Sequence, residues 1–171
     1  DIQSWEAQPL GPFLGKSFAT SVSPWLVTSE ALIPFRCPSR SRESGEPEPL
    51  PYLSSDQNRQ MGGIDAVVEV WIQSAEMRVE SMPHHLLSSA RLADLYWTIG
   101  QMIAHHSSNG CPLRPGDLIG TGTVSGKETN SAGCLLELTS GGTNSMQLPS
   151  GETRDFLEEG DEVVLKGYLG E

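Results

Sequence analysis

Glycine and proline recur so often along this chain that long helices have little room to form. The 171 residues include 18 glycines and 12 prolines, and both types are spread over the whole sequence. Proline breaks helices because it lacks a backbone N–H and its ring clashes with the preceding turn, whereas glycine favours turns. The pattern therefore predicts many turns and short strands rather than a helix bundle.

Length and charge exclude several classes of protein. A chain of 171 residues is expected to form one domain with its own core. Its 22 acidic and 11 basic residues give a net charge of −11, and lysine and arginine form no cluster. This argues against a nucleic-acid partner, because such proteins must neutralise phosphates. No apolar run approaches the roughly 18 residues of a membrane helix, so no membrane partner is expected.

The three cysteines do not form a metal or disulfide motif. Cys37, Cys111 and Cys134 include no C-x-x-C pair. Reduced cytosolic thiols are the simplest interpretation, and a Cys111–Cys134 bridge is the alternative. The first 30 residues lack the basic start and apolar stretch of a signal peptide. We therefore expect a cytoplasmic protein.

Hydrophobic periodicity predicts a mainly β fold with one packed α-helix. Alternation over residues 64–72 indicates a strand, with Met77–Glu80 as its partner. A helical period over residues 88–106 predicts the helix, capped by Ser88 or Ser89 and stopped by Asn109-Gly110. Residues 1–35 are predicted to be an ordered loop and residues 36–49 a solvent loop. Further strands are predicted at Leu118–Val124, Leu135–Thr139, Ser145–Leu148 and Glu162–Tyr168.

Two charged residues stand in apolar surroundings. Lys16 lies between Leu14 and Phe18, so its ammonium either reaches solvent or meets a partner inside a site. Glu137 interrupts an apolar run, and alternation places it on the same face as Leu135. That face is either wet or deliberately buried. A buried glutamate could orient a histidine that acts as a base.

Glycine and histidine motifs give weaker indications. Gly120-x-Gly122-x-x-x-Gly126 does not have the spacing of a nucleotide fingerprint, so it is either an ordinary turn or a loop that offers N–H groups and the Thr123 hydroxyl to an anion. The pairs His84-His85 and His105-His106 match no metal motif. His106 is expected to pack on the buried side of the helix or to bond to the turn at Ser107–Asn109.

The sequence resembles the fumarylacetoacetase family from its first residue to its last. The Pro9-Leu-Gly-Pro-Phe13 string and the His105-His-Ser107 turn are the most specific parts of the resemblance, whereas Gly15-Lys-Ser-Phe18 is shared across the wider superfamily. Other matching stretches, in chain order, are Asp1-Ile-Gln3, Ser23-Pro-Trp25, Leu50-Pro-Tyr-Leu53, Tyr96-Trp-Thr98, Leu113-Arg-Pro-Gly-Asp-Leu118, Gly122-Thr-Val-Ser-Gly126, Leu136-Glu-Leu138 and Gly160-Asp-Glu-Val163.

This resemblance implies a fold and an activity. The implied fold is the mixed β-sandwich roll of the family's C-terminal domain, covering residues 1–171. The implied reaction is hydrolysis of the carbon–carbon bond of 4-fumarylacetoacetate, a small diketo acid, to fumarate and acetoacetate in tyrosine and phenylalanine degradation. The family resemblance also implies Ca²⁺ and/or Mg²⁺ held by carboxylates, and a homodimer for the full-length protein.

The resemblance also assigns roles to individual residues. Gln3 and Lys16 match residues that stabilise the leaving carbanion, and Lys16 and Thr20 match positions associated with magnesium. Thr123 matches a substrate contact, and Glu137 matches the glutamate that orients the catalytic histidine. We expect Lys16 and Glu137 to face one pocket. A donor aimed at developing negative charge can contribute about 3–4 kcal/mol to catalysis.

Departures from the family pattern leave other interpretations open. Ala7 stands where the family often has a tyrosine, and Ala19 where it has glycine. The carboxylate metal ligands, the catalytic histidine and an arginine are expected upstream of Asp1. The chain is therefore expected to be truncated at both ends and inactive alone. The alternatives are another superfamily member, such as an acylpyruvate hydrolase or an oxaloacetate decarboxylase, and a non-catalytic β binding module.

Overall fold

A computed structural model describes residues 5–6, 13–17 and 19–170 of the chain. The chain divides into two units, residues 1–31 and residues 32–171. The elements below all belong to the second unit. Its strands are β1 (Arg36–Cys37), β2 (Gly63–Ile64), β3 (Ala66–Gln73), β4 (His85–Arg91), β5 (Met146–Gln147), β6 (Thr153–Arg154) and β7 (Glu162–Leu169). Its α-helices are α1 (Asp56–Met61), α2 (Ala75–Val79), α3 (Ile99–Ser107) and α4 (Leu135–Leu138).

Three antiparallel strands form the central sheet. Their order is β4-β3-β7, with Val68 opposite Ala90 on one side of β3 and Val70 opposite Leu165 on the other. The register between β3 and β4 shifts after Val70, as in a β-bulge. The pairs β1–β2 and β5–β6 form separate two-stranded sheets, both antiparallel. The second unit is therefore a mixed α/β fold built on antiparallel sheets with few and short helices.

The core lies where β3, α2 and β4 meet. Ile72 and Met77 are fully buried, and Leu87 and Leu148 pack against them. Ser74 ends the strand and begins the helix, because its hydroxyl accepts a hydrogen bond from the Met77 N–H at 3.1 Å. This cap turns the chain directly after β3, so Ile72 and Met77 enter the same core.

A network of ionised side chains joins this core to the turn before β7. The Arg154 guanidinium donates to both oxygens of Asp161, at 3.0 and 3.1 Å, and to Glu152 Oε1 at 2.9 Å. The Arg154 and Asp161 side chains are only 6% and 1% exposed. The Ser74 hydroxyl donates to Glu152 on its other oxygen. The Glu152 carboxylate thus connects the cap of α2 to Arg154.

Hydrogen bonds within this network change the acidity of its members. Donation from Ser74, from Ser150 and from Arg154 holds the pKa of Glu152 at about 2, against burial, which opposes the shift. Burial raises the pKa of Asp161, but the bonds from Arg154 and from the Glu158 backbone N–H outweigh it and leave that pKa lowered. The pKa of Arg154 is raised chiefly by its bond to Asp161. All three groups are therefore held in their charged forms.

Several predicted elements are confirmed and others are wrong. The strands predicted at residues 64–72, Ser145–Leu148 and Glu162–Tyr168 correspond to β3, β5 and β7. Met77–Glu80 lies in helix α2 and its end rather than in a strand, because the Ser74 cap starts a helical turn there. Leu118–Val124 is irregular, with Gly122 in the left-handed region at φ +76°.

The predicted helix over residues 88–106 begins eleven residues later than expected, at Ile99. Ser88 and Ser89 belong to strand β4, where they pair with β3. The true start is a capping box, in which Thr98 accepts from the Gln101 N–H and the Gln101 side chain accepts from the Thr98 N–H. The helix ends at Ser107, before Gly110 at φ +84°, so the predicted stop is confirmed.

Candidate active site

A cavity of about 640 Å³ opens beside the irregular segment 118–126. Thr123, Ser125 and Lys127 contribute to one wall, and Asp94, Tyr96 and Trp97 contribute to another. Its volume lies within the range of about 300–1,000 Å³ that is typical of small-molecule sites. Hydroxyl groups, charges of both signs and aromatic rings all line this space, which suits a polar organic ligand.

Glu137 is linked to this cavity by a hydrogen bond from Ser125, one of the residues that line it. The Ser125 hydroxyl donates to Glu137 Oε2 at 2.6 Å and accepts from the Gly133 N–H at 3.1 Å. The Cys134 thiol donates to Glu137 Oε1 at 3.5 Å. Because the Ser125 oxygen already receives the Gly133 N–H, its own proton is directed at Glu137. The carboxylate is therefore fixed in place while its side chain stays exposed.

Two glycines allow the two segments of the site to lie against each other. A Cβ at Gly133 would stand 2.3 Å from the Val124 carbonyl oxygen and 2.7 Å from Thr123 Cγ2. A Cβ at Gly126 would stand 2.6 Å from Ser131 Oγ, and the Gly126 N–H donates to the Ser131 carbonyl at 2.9 Å. Any larger residue would therefore push the Thr123 and Glu137 segments apart.

The local structure around Glu137 differs from the sequence prediction. Residues 135–138 form the short helix α4, so the predicted strand over Leu135–Thr139 is wrong. Glu137 consequently does not share a strand face with Leu135. A run of consecutive apolar residues does not by itself distinguish a strand from a helical turn. The turn closes because the Thr139 N–H donates to the Leu135 carbonyl at 2.8 Å.

Lys16 and Thr20 belong to the first unit, and both are exposed. Glu6 organises the turn that carries Lys16, because its carboxylate accepts from the backbone N–H groups of Phe13 at 3.0 Å and Gly15 at 2.7 Å. Sequence reasoning gave Glu6 no role. Gln3 and Ala7 lie outside the described residues. A shared pocket for Lys16 and Glu137 stays a prediction, as do the roles of Gln3 and Thr20.

Two of the four histidines have recorded side-chain hydrogen-bond partners, and neither partner is Glu137. All four lie in the described part of the chain, and none is hydrogen-bonded to Glu137. His105 Nδ1 and the Tyr52 hydroxyl are 2.9 Å apart, and His84 Nε2 lies 3.1 Å from Glu162. His106 is exposed, so its predicted packing on the buried side of the helix is wrong. A catalytic histidine from upstream of Asp1 remains a prediction.

The described residues do not form a metal site. Among residues 5–6, 13–17 and 19–170, no group of three or more His, Cys, Asp or Glu side chains could hold a metal ion. A protonated Lys16 ammonium has no lone pair for coordination, whereas the Thr20 hydroxyl has. This donor set does not fit a Ca²⁺ or Mg²⁺ centre, which needs several oxygen ligands.

Fold and cavity together define a class: an acidic antiparallel-sheet domain with a polar-lined cavity of small-molecule size. The whole chain, residues 1–171, matches the family model described as Fumarylacetoacetate (FAA) hydrolase C-terminal, and the chain belongs to that family. No helix in the described part of the chain is both long enough and apolar enough to cross a bilayer.

Curated relatives agree with this assignment. The chain is 52% identical to a fumarylacetoacetase from Oryza sativa subsp. japonica over 96% of its own length and 36% of the relative. It is 48% identical to the Arabidopsis thaliana fumarylacetoacetase over 98% of this chain and 37% of the relative. For the Homo sapiens enzyme the values are 45%, 98% and 38%. The chain thus spans little more than a third of these relatives, and the resemblance predicted from the sequence is confirmed.

Proposed function

We propose that the protein carrying this chain hydrolyses the carbon–carbon bond of 4-fumarylacetoacetate, giving fumarate and acetoacetate, as the last step of tyrosine and phenylalanine degradation. The observation that carries this proposal is the identity to proteins named fumarylacetoacetase, 45–52% over nearly the whole chain in plant and human relatives. The cavity beside Thr123 supports it, since a small diketo acid is of the size such a space accepts.

The reaction sets two requirements for the protein. Water must lose a proton as it attacks the carbonyl carbon, and the carbon–carbon bond then breaks with its electron pair staying on the departing acetoacetate carbon. That carbanion is a poor leaving group unless its negative charge is stabilised as it forms, and it then takes up a proton to give acetoacetate. A general base near the water and positive charge near the carbanion therefore both lower the barrier.

We assign Glu137 to the first requirement as a positioning residue. A carboxylate can accept about four hydrogen bonds, and the Ser125 hydroxyl and the Cys134 thiol supply two. Acceptor sites therefore remain for the N–H of an imidazole from another part of the full-length protein. An imidazole held this way keeps its other nitrogen free to take a proton from water.

We assign Lys16 and Gln3 to the second requirement. The Lys16 ammonium and the Gln3 amide would donate hydrogen bonds to the carbonyl oxygen of the departing acetoacetate, which shares the negative charge of the carbanion as it develops. Thr123 would contact the substrate. The exposed position of Thr123 on the cavity wall supports this last assignment. The glycine-rich turn around Lys16, which Glu6 holds, leaves the lysine side chain exposed and able to reach a ligand.

Further features of the proposal follow from the family resemblance. Ca²⁺ and/or Mg²⁺ would be held by carboxylates from outside the described residues, near Lys16 and Thr20, and would polarise the diketone. The full-length protein would be a cytoplasmic homodimer, and the central sheet would form part of a β-sandwich roll.

Matched lysine variants of the full-length protein test the proposal. We expect Lys16→Met to lower kcat far more than it raises KM, because the ammonium acts on charge that appears in the transition state. Lys166→Met, on the exposed face of β7, is the control and should change neither value. Fumarate and acetoacetate are measured as products. Turnover of acylpyruvates or oxaloacetate instead of fumarylacetoacetate would favour an assignment to one of the other superfamily members. If none of these compounds is turned over, a non-catalytic binding module is favoured.

A further inference from the structure

A second cavity, of about 320 Å³, is unusually rich in arginine. It lies between the segment 38–49 and helix α1, and three of the 11 basic residues of this acidic chain line it: Arg40, Arg42 and Arg59. Glu48 is the acidic residue among the described residues that line it. Such a concentration of guanidinium groups in a protein of net charge −11 requires a physical reason.

Two of these arginines are already engaged and hold the walls. Arg40 donates to both oxygens of Glu46 at 3.0 Å, a bidentate pair, and its side chain is only 19% exposed. Arg59 donates to the Ser54 hydroxyl at 2.9 Å and is paired with Asp56. Each of these two guanidinium groups is therefore paired with a carboxylate of the protein.

Arg42 is different. Its guanidinium carbon lies 3.5 Å from the centre of the Tyr96 ring and 4.6 Å from that of Trp97. These ring faces attract the cation, but they leave the N–H groups in the guanidinium plane without acceptors. Arg42 Nη1 is buried and has no hydrogen-bond partner among the described residues. An acceptor bound in the cavity would meet the accessible part of this guanidinium, because Arg42 lines the cavity, is only partly buried and makes no hydrogen bond to another described side chain or backbone group.

A neutral donor lies on the same cavity. The Asn58 side-chain oxygen accepts from the Thr98 hydroxyl at 2.6 Å, so its amide nitrogen is the group left to donate. Asn58 and Arg42 both line the cavity, together with the hydroxyl-bearing Ser39 and Ser41. The wall therefore offers an amide donor at Asn58 and a guanidinium at Arg42 that is not paired with a carboxylate among the described residues, with Glu48 as the acidic residue beside them.

We propose that this cavity binds the oxyanion group of a small metabolite, a carboxylate or a phosphate, which accepts hydrogen bonds from Arg42 and from the Asn58 amide. Guanidinium groups match the geometry of both oxyanions. The volume of about 320 Å³ limits the ligand to a small molecule. This cavity shares Arg40 and Tyr96 with the cavity beside Thr123, whereas Arg42 and Asn58 line this cavity and not that one, and the inference does not depend on the proposed hydrolase activity.

Calorimetric titration of the full-length protein tests this site. Inorganic phosphate and succinate are the two probes, titrated separately at constant ionic strength to separate a phosphate ligand from a carboxylate ligand. We expect saturable binding of at least one probe and an affinity at least tenfold weaker in Arg42→Gln. The control is Arg114→Gln, which removes the same charge from an exposed turn and should leave the affinity unchanged.

A second variant keeps the test decisive if Arg42→Gln does not fold. Asn58→Asp has the same shape and keeps an oxygen for Thr98, but it replaces the donor with a negative charge. It should abolish binding of the probe. Absence of saturable binding by either anion in the unmodified protein would overturn the proposal. So would equal affinity in Arg42→Gln and the unmodified protein, or an equal loss in Arg114→Gln.

Discussion

Two glutamates, Glu152 and Glu137, both receive a hydrogen bond from a serine hydroxyl, yet their surroundings differ. Glu152 is held by Ser74 and Ser150 and also by the Arg154 guanidinium. Glu137 is held by Ser125 and by the Cys134 thiol, and within the described residues it has no cationic partner. The same serine–carboxylate contact is therefore accompanied by a cation at Glu152, whereas at Glu137 it has no cation beside it within the described residues.

This difference separates a structural role for Glu152 from the functional role that we propose for Glu137. Glu152 accepts hydrogen bonds from Ser74, Ser150 and Arg154, so most of its acceptor sites are already used within the protein. Glu137 keeps an exposed carboxylate with unused acceptor sites, beside a cavity of small-molecule size. A fixed carboxylate that still has free acceptor sites can orient another group, whereas one that is already paired with an arginine stabilises the fold.

Replacing Arg154 with alanine should have the largest effect. Asp161, which is 1% exposed, and Glu152 would lose their cation, and breaking a buried ion pair from one side costs about 3–5 kcal/mol. We expect the free energy of unfolding to fall by about that amount in urea denaturation, with Arg114→Ala as an exposed control. If the free energy of unfolding is unchanged, the structural role that we give to Glu152 and Arg154 is wrong.

Glu137→Gln should affect catalysis and leave the fold intact. The amide keeps the shape of the carboxylate but loses the charge that stabilises a protonated imidazole, so we expect kcat to fall about 100-fold, which is about 2.7 kcal/mol. Steady-state kinetics and thermal denaturation of the full-length protein are the measurements, and Glu159→Gln, exposed near the turn before β7, is the control. A loss of stability as large as that of Arg154→Ala would make Glu137 a structural residue too.

Ser125→Ala should have a smaller effect on the same step. Without the hydroxyl, Glu137 loses its 2.6 Å contact and part of its fixed orientation. We expect kcat to fall about tenfold, in line with about 1.4 kcal/mol for a hydrogen bond to a charged group, with KM nearly unchanged. Ser125→Thr keeps the hydroxyl and should restore most of the activity. If alanine and threonine behave alike, Ser125 does not position Glu137.

The last prediction concerns acid sensitivity. Because the pKa of Glu152 is lowered from 4.5 to about 2 in the folded state, its contribution to stability is present above pH 4.5 and is lost as the pH falls towards 2. In Glu152→Gln this part of the pH dependence should disappear. Urea denaturation at pH 5, 4 and 3 measures it, and an unchanged pH profile would contradict the assignment.

Part of the fold was predictable because local pattern and tertiary structure agree. The alternating residues of β3 fill a central strand, and their periodicity is sufficient to identify it. The predicted helix over residues 88–106 began too early, because apolar spacing continued from strand β4 through the turn at Leu92–Asp94 into α3. The Thr98-x-x-Gln101 capping box was the signal that could have placed its start.

The sequence indicated only those candidate site residues that stand in a short recognisable motif. Thr123 was singled out from the glycine motif and Glu137 from the interrupted apolar run, and the family resemblance then gave them roles that stay predictions. Ser125 was missed, although it stands in the same short motif as Thr123, because its partner lies twelve residues away. The packing of Arg42 on Tyr96 was missed for a stronger reason: contacts between residues so distant along the chain depend on tertiary structure, for which local periodicity gives no signal.

The close approach at Gly133 has a consequence for how this region can change. Its hydrogen atom occupies a space too small for a methyl group, between Val124 and Thr123. Mutational tolerance along this stretch should therefore be lowest at a position that carries no reactive atom. Substitutions at the neighbouring surface positions can alter which molecules are recognised, but only as long as position 133 remains glycine.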